Sequence, residues 1–446
     1  VKLSRVVPVL PLAVAVAVAV AGAAAEETSV KGADLDLIRL VRSIGERIAN
    51  LVGRPARTDL VAVRAEEPLR AAAARERAQR WLPPAVAAAR GRAWGDLGFG
   101  GPSDPADLAT ALALDLAGMT FDASNAKLLV DPTRLTEGSE DADASLVLAT
   151  GVAADEPVAG HYVAHVLTDE APFSSPPTTD AMLARAALAE GTANVAAMMF
   201  LFGGVGLEAE VVGGALRPED ALGGRLVSPD VRSSSAVVGA LVEFVYLDGF
   251  AQAAELAKRG DFRRLLGERK LRRTTRDLIH LDRQALPAQD LTAPRLPEEV
   301  AWPLADRDAL GEQGIVVLVS LLTGKDNLGL MAGDGWVADA LWRFEPTGAE
   351  EPPGRGVTFW TTRWTNEDEA KDFAYALERC FQGRFPGETM SETSPGIRTL
   401  SRPDRVYKTE IRGLEVHLRV ADATTHAAFE GGAKKKGMES RSRPRK

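Results

Sequence analysis

The sequence predicts an α+β protein, built as a mainly helical core followed by a smaller α+β unit. Three observations carry that expectation. Apolar residues recur at helical spacing through most of the chain up to about His280. A proline-containing stretch, Leu286 to Pro303, then reads as a boundary. Beyond it the texture changes to strand-like runs and a hairpin. With 446 residues, 46% hydrophobic and 26% charged, the chain has material for two or three globular domains.

The elements follow in order. Leu37, Val41, Ile44, Ile48 and Leu51 make an amphipathic helix with Asp34 as its cap and Gly53 and Pro55 as its stop. A short strand at Leu60 to Val63 precedes an Ala/Arg/Glu-rich helix from Glu66 to Trp81, and the Gly/Pro/Asp cluster from Gly98 to Asp107 reads as a loop. Met119 to Phe121 and Lys127 to Val130 form a hairpin. After the acidic loop Glu137 to Asp143, helices are predicted over Val158 to Thr168, Asp180 to Phe200 with Asp180 as cap, Ser233 to Arg259 and Arg272 to His280. Past the boundary, Trp336 to Phe344 and Val357 to Trp364 read as strands and Glu367 to Phe381 as a helix. Val406 to Ile411 and Leu414 to Val420 make a second hairpin.

The ends carry their own signals. Lys2 and Arg5, the apolar run Val6 to Val20 and the small residues Ala23 to Ala25 have the build of a secretory signal peptide cleaved after Ala25. The run is short for an uncleaved anchor, and no later stretch reads as a membrane span, so a secreted or periplasmic protein without a stable span is expected. Residues 431–446 hold seven Lys or Arg and one Glu with no apolar pattern, the composition of a disordered basic tail. The expected divisions are thus 1–25, a core over 26–300, a C-terminal unit over 301–430 and the tail. A net charge of -9 argues against nucleic acid as the main partner. Cys380, the sole cysteine, excludes an intrachain disulfide and reads as a buried small residue.

One segment carries chemistry. His161 and His165 are four apart on a helix, which puts both imidazoles on one face, and Glu190 lies on the next helix. Two histidines and a glutamate are a three-ligand set for zinc with a fourth position open. Asn194, one turn after Glu190, is placed to orient a histidine. Spacing alone also fits two ordinary core or surface histidines. Other signals are weaker. Gly203-Gly204-Val205-Gly206 lacks the strand of a dinucleotide site, and Gly324-Lys325 lacks the rest of a phosphate loop. Ser233 to Ser235 reads as a helix cap, and Trp336, Trp342, Trp360 and Trp364 read as core rather than a binding face.

Several segments together resemble secreted bacterial metallopeptidases of the gluzincin type. Gly160 to Glu170, GHYVAHVLTDE, is similar to their HELTHALQDQ segment, and Ala187 to Ala193, ALAEGTA, to their ALVEGEA third-ligand motif. Tyr246 to Gly260 and Arg273 to Arg283 resemble their YxxGxAFVRALYxxGG and STEQILHPEKY segments. Gly118 to Asp131 is similar to the strand pair before the metal helix. Gly335-Trp336 and Val357 to Trp364 resemble the C-terminal unit. In this order the similarities cover most of residues 60–380 and imply a zincin-like core with His161, His165 and Glu190 as zinc ligands. The resemblance also puts His280 at a histidine of the HPEKY-like segment, as a hydrogen-bond donor to a developing oxyanion or in a capping or core role.

The general base of that family falls on Tyr162, and there the chain departs. A phenol with an ordinary pKa of about 10 is a proton donor at neutral pH, so it does not replace a glutamate that shuttles protons. The nearby Asp169 and Glu170 lie a turn beyond His165 and are poorly placed to do so. Three readings follow: a zinc-binding pseudopeptidase holding a protein or peptide, an active zinc metallohydrolase with an altered mechanism, and a metal-free envelope binding or structural protein.

Overall fold

A computed structural model describes residues 35–56, 61–113, 120–122, 127–130, 155–168, 175–201, 235–258, 273–284, 286–287, 289–347 and 355–431. The expected signal peptide, the acidic loop, Asp169, Glu170, the Gly203 to Gly206 stretch, Ser233 and Ser234 lie outside these residues, as does the tail after Gly431.

The N-terminal part is helical. It comprises α1 (Leu35–Val52), α2 (Glu67–Trp81), α3 (Pro84–Leu97), α4 (Asp104–Ala113), α5 (Asp155–Thr168) and α6 (Thr179–Leu201). A small sheet accompanies it, β1 (Val61–Arg64), β2 (Thr120–Asp122) and β3 (Lys127–Val130), in the order β1-β3-β2. The expected hairpin is present, with β2 antiparallel to β3, and β1 joins β3 in parallel. Next come α7 (Ala236–Glu243), a π turn (Phe244–Asp248), α8 (Gly249–Lys258) and the short α9 (Thr275–Ile279).

The 23-residue α6 runs through the middle of this layer and carries apolar residues around most of its circumference, interrupted by Arg185, Glu190 and Asn194. Met182, Leu183, Leu188, Val195, Met198 and Phe200 are all buried in it. Its backbone closes directly onto α8: a Cβ on Gly191 would sit 2.1 Å from the Gly249 carbonyl oxygen. Only glycine permits that approach. The stretch Ala236–Ala257 is long and apolar enough to cross a membrane, which corrects the expectation that no later stretch is. Val238, Leu241, Val242, Phe244 and Leu256 bury its apolar surface in the core.

The C-terminal part holds β4 (Leu304–Asp308), α10 (Gly311–Thr323), α11 (Asp326–Gly333), β5 (Trp336–Phe344), β6 (Val357–Trp364), α12 (Glu367–Arg384), β7 (Ser391–Ser394), β8 (Ile397–Ser401), β9 (Val406–Arg412) and β10 (Glu415–Ala421). A last helix spans residues 423–431. The strands form one sheet in the order β4-β5-β6-β10-β9-β8-β7, with every pairing antiparallel. The molecule is therefore a mixed helix and sheet structure of the α+β kind.

Strand alternation gives the sheet two covered faces. Leu341, Trp360 and Trp364 join a core continuous with α1, α5 and α6, while Ala338, Ala340, Trp342 and Phe344 pack on the other side with Leu291 and Val357. The four tryptophans are core residues, split between the faces. Cys380 is also buried, which pushes its thiol up to about 12. The core crosses residue 300 without interruption, so the two expected units share one hydrophobic interior.

Several local expectations need correction. Asp104 to Asp107 belong to α4, not to a loop, and the Asp104 carboxylate reaches back to accept the Gly101 amide at 2.8 Å, fixing the turn before the helix. Asp180 does not cap its own helix. Thr178 does, accepting the Ala181 amide at 3.2 Å, and the Asp180 carboxylate instead accepts the amide and hydroxyl of Thr275 at 2.8 and 2.7 Å.

Carboxylates join the helical layer to the sheet. Asp308 of β4 accepts the Thr179 amide at 2.6 Å, the Thr179 hydroxyl at 2.8 Å and the Trp94 indole at 3.1 Å. Arg90 of α3, fully buried, pairs with Asp306 at 3.0 Å and Asp308 at 3.4 Å. Asp339 of β5 accepts the amides of Leu310 and Gly311 and the Trp360 indole. Replacing Arg90 by Met leaves two buried carboxylates uncompensated and should cost about 3–5 kcal/mol in denaturant unfolding. Arg80→Ala, which breaks an exposed ion pair with Glu76, should cost under about 1 kcal/mol. Equal costs would contradict the role of the buried network.

Candidate metal centre

Helix α5 is buried along most of its length, with Ala159, Val163 and Ala164 in the core, and it lies against both α1 and α6. At Gly160 the helix lies close to both neighbours, with Ile48 and Phe200 within ordinary contact of where a Cβ would sit. The four-residue spacing then turns His161 and His165 toward α6, where Glu190 meets them.

The three ligand atoms form a near-equilateral triangle. His161 Nε2 and His165 Nε2 are 3.1 Å apart, and Glu190 Oε2 lies 3.4 and 3.3 Å from them. A tetrahedral ion with ligands at about 2.0–2.1 Å would space them roughly 3.3 Å apart. The donor set and its spacing therefore fit zinc. Two imidazoles and a carboxylate are also the ligand types of an open, three-ligand zinc site.

Burial sharpens the chemistry. His161 is 1% exposed and Glu190 6%, whereas the His165 side chain keeps 22%. Burial alone would push the Glu190 carboxyl up; the charges and hydrogen bonds of His165 and His161 outweigh it and hold it well below the usual carboxylate range. The carboxylate is thus kept ionised and ready to bind a cation. Asn194 is 4% exposed on the same face of α6, and its Oδ1 has no hydrogen-bond partner in the structure.

Tyr162 does not share the histidine face. It is 2% exposed within the hydrophobic core, its ring edge-on to that of His161 at 5.1 Å. His280 ends α9, and its Nε2 lies 2.8 Å from Glu312 Oε1. Burial, then Arg283 and Arg276, lowers its pKa, while Asp334 and Asp282 oppose that; none of the three triad residues figures among these groups. Sequence reasoning missed Glu312, which sits in the first turn of an unanticipated helix.

Residues 300–430 match the family model of a domain of unknown function (DUF8575), which spans the C-terminal sheet and its helices but none of the three ligand residues. No curated protein matches the chain, and neither does any solved structure.

Purified protein should bind one equivalent of zinc in competition with a chromophoric chelator, and His161→Ala or Glu190→Gln should abolish that binding. Asn194→Ala should weaken it by about 10–100-fold. Undiminished affinity in Asn194→Ala would remove that residue from the site.

Proposed function

We propose that the protein is an exported, zincin-like pseudopeptidase that binds zinc through His161, His165 and Glu190 and holds a protein or peptide ligand. The convergence of the three ligand atoms carries this reading. The gluzincin-like segments around them support it, and the signal-like N-terminus supports export.

The residues divide the work of such a site unevenly. His161 and Glu190 hold the metal from buried positions, and His165 forms the side nearest solvent. When bound, zinc supplies a Lewis acid that polarises a carbonyl oxygen. What is missing is a group to take and return a proton. Tyr162 sits in the core with its ring against His161, so it is not placed as a general base. Binding without turnover is the consequence.

Cleavage and binding of a labelled unstructured polypeptide, followed side by side, test this. The wild type should bind it only with zinc present and leave it intact, and His161→Ala should lose the binding. Tyr162→Phe should behave as wild type in both assays. Wild-type cleavage that His161→Ala abolishes would overturn the reading, and loss of that cleavage in Tyr162→Phe would assign Tyr162 a role in an altered hydrolase.

A further inference from the structure

A second polar centre lies where α9 meets the first turn of α10. Arg276 of α9 is 6% exposed, and its Nε and Nη1 have no hydrogen-bond partner among the described residues. Glu312 of α10 is 4% exposed; its Oε1 meets His280 Nε2 at 2.8 Å and its Oε2 has no partner. Exposure rises outward from this floor. The His280 side chain is 17% exposed, and the rim pair Arg283 and Asp334, 3.7 Å apart, is 43% and 58% exposed.

The charges around Glu312 do not balance Arg276. Burial pushes the Glu312 carboxyl up to about 8, with Asp334 and Asp180 adding to it and Arg276 and Arg283 opposing. At neutral pH Glu312 therefore keeps its proton. Burial together with Arg283 and Arg276 lowers the His280 pKa, so that imidazole is neutral as well. Of the other buried carboxylates described nearby, Asp180 is held by Thr275, Asp339 by Leu310, Gly311 and Trp360, and Asp277, next to Arg276 on α9, takes the Arg273 amide at 3.2 Å. Glu369 of α12 is half-buried near Asp334, and α7 contributes only the exposed Glu243. A permanently charged guanidinium thus faces a neutral carboxyl–imidazole pair. A buried charge left without an acceptor is strongly unfavourable.

We infer that Arg276, Glu312 and His280 form a binding site for one small oxyanion, a carboxylate or a phosphate, distinct from the metal triad. Arg276 rejects a cation. Its Nε–H and Nη1–H, with the Glu312 hydroxyl, offer donors that need an acceptor, which is the chemistry of an oxyanion. His280 holds Glu312 in place through Oε1 and leaves Oε2 for the ligand. Entry is from the His280 side, where the group reaches solvent. Nothing in this site requires a metal at His161, His165 and Glu190.

Calorimetry on the full chain in an amine–chloride buffer free of oxyanions, titrated separately with acetate and with inorganic phosphate, tests the assignment with and without zinc. At about pH 6.5 one of the two should bind at a one-to-one ratio, zinc or no zinc, and the arm that responds names the ligand class. Arg276→Met should lose affinity by at least about tenfold. Raising the pH to about 9 ionises Glu312 and should weaken wild-type binding, while Glu312→Gln, which keeps an N–H donor, should bind at both pH values. In oxyanion-free buffer Arg276→Met should be at least as stable as wild type, because it removes an unpaired buried charge. An arginine with a purely structural role would lose stability there. Failure of both acetate and phosphate to bind, unchanged affinity in Arg276→Met, or a less stable Arg276→Met without oxyanion would each overturn the inference. None of these results depends on whether the metal triad binds zinc.

Discussion

One carboxylate, Asp308, ties the three layers of the molecule together. It sits on the edge strand β4 and accepts the amide and hydroxyl of Thr179, the first residue of α6. That amide is one of the donors a helix leaves unsatisfied at its start, and a negative charge there also meets the positive end of the helix dipole. The same carboxylate takes the Trp94 indole and the Arg90 charge from α3. A single group thereby sets where α6 begins, how α3 lies against it, and how both meet the sheet. Glu190 follows eleven positions along α6, roughly 16 Å up the helix axis. Its location is fixed by an anchor far from the metal centre.

The other half of the centre is fixed by packing. Helix α5 has no polar anchor of this kind among the described residues; small side chains let it settle between α1 and α6. His161 then has to be buried, and burial of imidazole and carboxylate together is tolerable only because each offsets the other. Zinc would strengthen that arrangement by replacing hydrogen-bonded contacts with coordination. The same burial removes Tyr162 from the chemistry, since the residue beside His161 on the helix turns into the core. On the proposed reading, a chain with these three ligand residues and a core aromatic at position 162 is organised to hold a metal, not to cycle protons.

Much of this was legible in the sequence, and the failures share a cause. The histidine pair declared itself because four residues make one helical turn, and Glu190 because a second helix brings it to the same level. The C-terminal strands showed through their alternation, as did the hairpin at residues 406–421. What did not show was the polar seam. Asp306 and Asp308 drew no notice in the sequence, since nothing local says that Arg90, more than two hundred residues earlier, neutralises them. Asp180 invites a capping role by its position, yet its partner Thr275 lies 95 residues away. Helix α10 escaped notice because Gly311 opens it at positive φ, and Asp180 lies so close that a Cβ there would stand 1.9 Å from its oxygen. Tertiary partners, invisible to periodicity, decided each of these.

The central claim is a metal held by two imidazoles and one carboxylate, and an X-ray absorption spectrum at the zinc edge of the loaded protein tests it most directly. The account predicts two imidazole nitrogens at about 2.0–2.1 Å, light oxygen scatterers completing the shell, and no sulfur. A shell lacking imidazole scattering, or one containing sulfur from Cys380, would contradict it.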